Sequence, residues 1–303
     1  MRGLKKCPAE VSVIVTVTDD GGSSGRLREE LGVLPPGDIR NCLLALSEDE
    51  NLMAQLFRFR FNSDGGLHNH SFGNLFLTAM AGITGDFAKA VRLTSEVLAI
   101  NGVIYPSTNS NVRLRAEFHD GTSIVGETRI TAARRRIRRI ELEPPDARPL
   151  PDALCAISRA DVITLGPGSL YTSLIPNLLV TEVAAAINAS RAKKIYIQNV
   201  MTQPGETEGY GLADHVQALA DHCCGAILFP NVLMNSQAPS SDILKRYEAD
   251  HAHFIDVQQD DRCVQMGIQV VARDLLAEDG VIRHDPDRLA YAILELAEAE
   301  AAQ

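Results

Sequence analysis

Apolar and polar positions switch repeatedly between the period of a strand and that of a helix. Residues 11–17 form a nearly continuous β-branched run, the pattern of a strand covered on both faces. The run breaks at Thr18-Asp19-Asp20-Gly21-Gly22-Ser23-Ser24-Gly25, and helical composition follows over 26–31. Helical spacing recurs over 39–46, 52–61 and 73–81. Asp86 is placed to cap a further helix over 87–98, with apolar positions 87, 91, 93, 97 and 98 near one face. The middle of the chain differs. Residues 112–118 and 123–130 alternate around His119-Asp120-Gly121-Thr122, which predicts a hairpin with Asp-Gly at its turn. A further strand is expected over 134–140, so an antiparallel patch spans about 103–142. The α/β rhythm then returns. Helices are expected over 153–159, 182–190, 214–222, 242–249 and 286–299, and strands over 161–165, 194–198 and 226–229.

This order predicts an α/β fold: a mostly parallel sheet with helices on both faces and the hairpin patch beside it. No internal repeat and no linker divides the chain, so residues 1–303 are read as one domain. Composition narrows the function. Lys and Arg number 29 against 39 Asp and Glu, a formal net charge of −10, which argues against general binding to nucleic acid or to an anionic membrane surface. No apolar run reaches the length of a membrane span, and no membrane insertion is expected. Six cysteines without a C-x-x-C pair suit thiols in a reducing compartment better than a disulfide framework or a zinc site. No Walker A loop, G-x-G-x-x-G or G-x-S-x-G is present.

Three predicted strands end in polar turns, most of them glycine-bearing: Val17 into Asp19-Asp20-Gly21-Gly22, Leu165 into Gly166-Pro167-Gly168-Ser169, and Gln198 into Asn199-Val200-Met201-Thr202. In an open parallel sheet these ends share one edge, where ligands bind, and glycines let backbone N–H groups approach an anion. A nucleotide or phosphate cleft follows. Adjacent carboxylates at a strand end suit Mg²⁺ beside a phosphate, so Asp19 and Asp20 are the metal candidates; a helix cap with a solvated neighbour is the plainer alternative. Arg26 and Arg28 face either the cleft or solvent. Pro36-Gly37-Asp38-Ile39-Arg40-Asn41 is a second turn-to-helix junction, with Asp38 as the expected cap and Arg40 and Asn41 as ligand contacts. His68-Asn69-His70-Ser71-Phe72-Gly73-Asn74 precedes an apolar helix, where Ser71 or Asn74 suits capping and ligand contact. The basic run 134–139 interleaves isoleucine and reads as a solvated strand face. By pattern alone, Tyr247 and Arg283 are surface residues.

Together these blocks resemble a known family. Thr16 to Arg28, Pro36 to Asn41, His70 to Asn74, Ile83 to Phe87, Gly166-Pro-Gly-Ser-Leu-Tyr-Thr-Ser173 and Asn199-Val-Met-Thr-Gln203 are similar, in this order, to the YvcK-like gluconeogenesis factors, relatives of the CofD-type 2-phospho-L-lactate transferases. The resemblance runs from about residue 3 to residue 297. It implies a Rossmann-like three-layer fold, a cytoplasmic location, and a regulatory role in gluconeogenic growth, cell shape and peptidoglycan precursor supply. It implies UDP-sugars as ligands, UDP-N-acetylglucosamine foremost, no required cofactor beyond Mg²⁺ travelling with a diphosphate, partner proteins of cell-wall precursor metabolism, and a homodimer. The transferase cousins place Asp19 and Asp20 beside metal and phosphate. The family's UDP-sugar contacts carry over to Tyr247 and Arg283. The expected ligand set is then Gly21, Gly22, Ser23, Ser24, Arg26, Arg40, Asn41, His70, Ser71, Asn74, Gly166, Gly168, Ser169, Thr172, Asn199, Thr202, Tyr247 and Arg283. Family chains begin with a strand and a glycine-rich loop ahead of the helix near Arg2 to Lys5, so a native start upstream of Met1 is expected. A non-catalytic sensor is the first reading, an Mg-dependent transferase the alternative, and a scaffold with a vestigial cleft the third.

Overall fold

Two parallel sheets carry the alternation of strand and helix in the computed structural model, which describes residues 1–48, 52–62, 64–257 and 260–301. β1 (Ser12–Val15) pairs with β2 (Val103–Pro106), Ser12 opposite Val103 and Val15 opposite Pro106. β3 (Arg113–Phe118), β4 (Ser123–Val125) and β5 (Ile137–Glu143) form an antiparallel sheet in the order β4-β3-β5. β6 (Val162–Leu165), β7 (Lys193–Ile197), β8 (Asn231–Asn235) and β9 (Gln269–Arg273) form a four-stranded parallel sheet in sequence order. β10 (Leu276–Glu278) and β11 (Ile282–His284) add a small hairpin. The fold is α/β, as the pattern predicts.

Residue alternation explains why the four-stranded sheet is apolar on both faces. Ile195, Ile197 and Leu233 point to one side, where Ala292 and Ile293 of the C-terminal helix Pro286–Ala301 cover them. Tyr196, Val232 and Met234 point to the other, into the large core shared with the first sheet. Among the described residues no single helix is long and apolar enough to cross a membrane. All six cysteine thiols are free.

Several expected boundaries move, each for a local reason. The helix predicted over 52–61 stops at Arg58, because residues 59–61 turn back and exchange backbone hydrogen bonds with 69–72, Phe72 N–H to the Phe59 carbonyl at 2.9 Å among them. The strand predicted over 123–130 ends at Val125; Gly126 takes φ +106° and a helix, Glu127–Ala133, begins. Residues 226–229 are not a strand. They supply Leu228 and Phe229 to the core, and the strand starts after Pro230, whose carbonyl accepts from Gln269 N–H. Residues 103–106 pair with β1, so the antiparallel sheet spans 113–143. The strands β9 to β11 follow no pattern recognised in the sequence.

A histidine joins the antiparallel sheet to the rest. His222, the last residue of helix Leu212–His222, accepts from Ile140 N–H of β5 through Nε2 at 2.9 Å and donates from Nδ1–H to the Ala218 carbonyl at 2.7 Å. Both contacts require the neutral ring. Burial holds His222 and His215 below the usual imidazole range, and pushes His284 down to about 4. A group depressed in the folded state binds its proton first in the unfolded chain. These three residues therefore contribute fully above about pH 6.5, and that contribution falls as pH drops through the unfolded value. Their titration alone is expected to contribute a fall in the thermal midpoint between pH 7.5 and pH 5, read as the difference between the parent and a histidine variant. His222→Ala is expected to cost about 2–4 kcal/mol at neutral pH, as a cavity and an orphaned buried N–H require, and to flatten the decline. An unchanged slope in that variant would assign the acid sensitivity elsewhere.

Candidate functional site

The turn after β1 brings two carboxylates into the starts of three helices. Helix Gly22–Leu31 begins directly after the turn. Helix Gly37–Leu46 begins where Gly37 packs against the side chains of Asp19 and Ser24, and helix Glu127–Ala133 begins beside Asp20. Helix starts present unpaired N–H groups and a partial positive charge, which favours carboxylates there. Asp19 Oδ1 accepts from Gly21 N–H at 2.8 Å. Asp20 Oδ1 accepts from Thr128 twice, from N–H at 2.8 Å and from the hydroxyl at 2.7 Å. Gly126 is required here twice over: its φ of +106° disfavours a side chain, and a Cβ would lie 2.6 Å from Asp20 Oδ2.

Two further carboxyls complete an acidic core. Glu127 Oε2 accepts from the Thr18 hydroxyl at 3.3 Å. Burial first, then the charges of Asp38 and Asp19, push Glu127 up to about 8. Burial and then Asp19 push Asp38 up to about 6, with Arg40 opposing. Asp38 is not the cap that its position suggests. Pro36 holds that place, and Asp38 lies inside the first turn.

A polar network extends from this core. His70 Nδ1 and Ser23 Oγ lie 2.9 Å apart, and Asn74 Nδ2 donates to Ser23 Oγ at 3.0 Å. Arg40 donates to Ser71 Oγ at 2.6 Å, to Asn74 Oδ1 at 3.1 Å and to Asn41 Oδ1 at 2.8 Å. Ser71 caps helix Phe72–Thr84 by accepting from Asn74 N–H, as expected. The two arginines of the first helix separate: Arg26 donates to the Gly66 and His68 carbonyls, while Arg28 is buried and donates to Asn111 and the Val112 carbonyl.

The second and third turns form another unit. Gly166 has φ +95°, and a Cβ there would meet the Ile197 carbonyl at 2.7 Å. Asn199 clasps the loop in both directions, accepting from Gly168 N–H at 3.1 Å and donating to the Gly168 carbonyl at 2.8 Å. Gln203 donates to Ser169 Oγ at 2.7 Å. Thr172 is buried and donates to Glu206, and Thr202 is buried with its hydroxyl accepting from His253 N–H. The Tyr247 hydroxyl accepts from Ile282 N–H at 3.0 Å, beside the exposed Arg283, and its ring joins Val200, Met201 and Ile282 in an apolar cluster. Tyr247 and Ile282, distant in sequence, are thus packed against the turn at 199–202, and the exposed Arg283 follows Ile282 in the same strand.

The two units meet through one helix. Glu127–Ala133 starts on Asp20, and its other end lies against Gly205, close to the Thr131 carbonyl and Arg134. Sequence reasoning missed Glu127, Thr128, Gln203 and Glu206. The Gly-Glu-Thr start of a helix was legible at 126–128 but lay inside an alternating run. Among the described residues, no group of three or more His, Cys, Asp or Glu side chains is arranged to hold a metal ion.

The raised carboxyls give this site a pH signature opposite to that of the histidines. A carboxyl whose folded value lies above its unfolded value favours the native state at low pH, and that advantage is lost as pH rises from about 4.5 toward 8. Glu127→Gln removes the penalty. Its melting temperature is expected to exceed that of the parent by a few degrees at pH 8, with the gain shrinking toward pH 5. A gain independent of pH would mean that Glu127 is not the group that titrates.

Comparison with known proteins agrees with this architecture. A family model described as 2-phospho-L-lactate transferase CofD matches residues 1–276. The chain is 46% identical over 298 residues to the gluconeogenesis factor of Bacillus subtilis, covering 98% of this chain and 93% of that protein. It is 46% identical over 296 residues to the gluconeogenesis factor of Halalkalibacterium halodurans, covering 97% and 91%. A relative in Nostoc is 51% identical over 297 residues, and there the match spans 97% of this chain but 65% of the longer protein. The crystal structure of a UPF0052 family member from Bacillus halodurans superposes with a TM-score of 0.93 at 46% identity, covering 97% of this chain and 94% of that one. With nearly the full length of two such relatives matched at 46% identity, the chain belongs to the gluconeogenesis factor family, on the CofD fold.

Proposed function

We propose that the chain is a cytoplasmic UDP-sugar-binding regulatory protein, with UDP-N-acetylglucosamine as its foremost ligand. It serves gluconeogenic growth, cell shape and peptidoglycan supply by presenting a ligand-dependent surface to proteins of cell-wall precursor metabolism. The observation that carries this reading is the junction of Tyr247, Arg283 and the turn at 199–202. The Tyr247 hydroxyl, held by Ile282 N–H, fixes the ring beside the strand that bears Arg283. An aromatic ring for the uridine then packs against the strand whose next residue carries a guanidinium for the diphosphate. The clasped Gly166–Ser169 loop adds backbone N–H groups for phosphate oxygens.

Mg²⁺ fits the residues present only as a companion of phosphate. Asp19 and Asp20 each have one oxygen engaged by protein donors, and among the described residues no third acidic ligand completes a cage. Mg²⁺ commonly keeps its waters and binds through one or two carboxylates plus phosphate oxygens. Bound there, the ion would neutralise phosphate charge; the protein's part is to hold Asp19 and Asp20 in place through Gly21 and Thr128. The match to the CofD model and the buried carboxyls at Asp38 and Glu127 favour a second reading, an Mg-dependent transferase of the 2-phospho-L-lactate type.

Calorimetric titration of UDP-N-acetylglucosamine with and without Mg²⁺ separates the two readings. Saturable binding without turnover, weakened at least tenfold in Arg283→Ala, is expected for the sensor. Conversion of a UDP-sugar or a phospho-donor that requires Mg²⁺ and is lost in Asp20→Asn would replace it with the transferase. Absence of any binding to the folded protein would discard the UDP-sugar assignment.

A further inference from the structure

Helix Phe72–Thr84 turns apolar side chains outward. It carries no charged residue, yet its buried residues are only Gly73, Asn74 and Leu77. A surface helix ordinarily buries its apolar stripe and leaves its polar side chains in water. Here the polar Asn74 is buried, where it bonds Ser23 and Arg40, while Leu75 and Phe76 are half-buried, Ala79 is exposed and Ile83 is 79% exposed. The neighbouring helix Leu52–Arg58 repeats the pattern. It buries Ala54 and Phe57. Leu52, Leu56 and Phe59, at i, i+4 and i+7, form the opposite stripe, with Leu52 68% and Phe59 53% exposed. Phe59 N–H reaches the Gln55 carbonyl, so this residue continues the last turn. Phe57 packs on Phe72 and Phe76 with ring centroids 5.9 and 5.1 Å apart, so the two helices lie side by side and their outward stripes adjoin.

Size, charge and shape identify the occupant. The exposed parts of these side chains amount to roughly 500 Å² of apolar surface, in the upper range for a monomer and near the apolar share of the ~800 Å² that each partner buries in a standard interface. Interfaces between identical subunits are more apolar than others and poor in charge at their centre, as this face is. In a chain of net charge −10, a charge-free face is also where two copies meet with least repulsion. A two-fold contact further demands that the face fit itself. Helix Phe72–Thr84 meets that demand, because its first half is bulky, with Phe72, Leu75 and Phe76, and its second half has Ala79 and Gly82. An antiparallel pairing centred on Ala79 sets Phe76 against Gly82, and Leu75 against Ile83, across the axis.

We propose that the outward faces of helices Leu52–Arg58 and Phe72–Thr84 form a two-fold interface with a second copy of this chain, the two Phe72–Thr84 helices crossing antiparallel at Ala79. The assignment rests on these side chains, and neither on the UDP-sugar reading nor on the homodimer that the family resemblance implies. It places the partner directly behind the first turn: the helix that meets the second copy on its outer side is capped by Ser71 and holds Ser23 and Arg40 through Asn74 on its inner side.

Sedimentation velocity and amide hydrogen exchange on the full chain test this. At about 100 μM a species of twice the 32.9 kDa chain mass is expected, dissociating on dilution. Exchange protection over residues 52–59 and 72–84 is expected to fall with the same dilution. Ala79→Glu places like charges beside the axis and is expected to give a monomer at that concentration. Its far-UV spectrum is expected to match the parent, because position 79 is exposed in the single chain. Ala79→Lys is expected to behave in the same way. Mixing the two variants is expected to restore the dimer, which requires position 79 to lie near its own copy. A monomeric parent, a dimer that survives both substitutions, or a mixture of folded variants that stays monomeric would each overturn the proposal. Protection of 72–84 that appears only with anionic phospholipid vesicles would overturn it in favour of a membrane surface. The dilution experiment uses the unmodified chain, so misfolding of a variant leaves the proposal open to refutation.

Discussion

Asp20 is held by Thr128, and most of what positions the site passes through that contact. The carboxylate receives two hydrogen bonds from one residue, 108 positions later in the chain. Asp20 follows β1; Thr128 opens the helix that follows β4. One side chain therefore locks the β1–β2 sheet to the antiparallel sheet. The far end of the same helix carries Gly205 and the 203–206 segment, whose Gln203 and Glu206 hold Ser169 and Thr172. Donors from a helix start stabilise a carboxylate through N–H groups that would otherwise be unpaired, so one contact satisfies both partners. Losing it would loosen both loop units together.

Charge around that contact is arranged against itself. Asp19, Asp20, Asp38 and Glu127 concentrate negative charge where desolvation already disfavours it, and Arg28 and Arg40 offset only part of it. Proteins tolerate such arrangements where function uses the field, since apolar packing of the same volume would be more stable. Here Asp38 and Glu127 resist ionisation as pH rises while the buried imidazoles resist protonation as it falls. Stability is squeezed from both sides toward the middle of the physiological range.

The alternation of β-branched runs with helical spacing was enough to place β1, β6, β7 and most helices, because strands buried on both faces must be apolar without interruption. The same reasoning failed at 123–130. Ile124 and Ile130 keep a strand-like rhythm, and only the approach of Asp20 to Gly126, a contact made across 106 positions, turns the chain into a helix. It failed again at 226–229, where an apolar run packs in the core without pairing and Pro230 delays the strand. At the site, the strand-end turns were visible as glycine and polar residues. Tyr247 was not, because its packing against Val200 and Ile282 depends on tertiary placement and not on local pattern.

Arginine shows the same limit from the other side. The run at 134–139 is the most basic stretch of the sequence, yet β3 and β5 lie in a register that sets Arg113 opposite Glu143, Arg115 opposite Glu141 and Glu117 opposite Arg139. Exposed pairs follow along and across these strands, Arg139 with Glu141 at 3.3 Å and Arg138 with Glu117 at 3.5 Å. Such pairs contribute little stability, but they cancel the field that a polyanion would need. Arg2, Arg40, Arg58 and Arg60 form no run at all, and the fold gathers them around one cleft. Strand register thus neutralises charge that is conspicuous in the sequence, while topology gathers charge that is scattered in it.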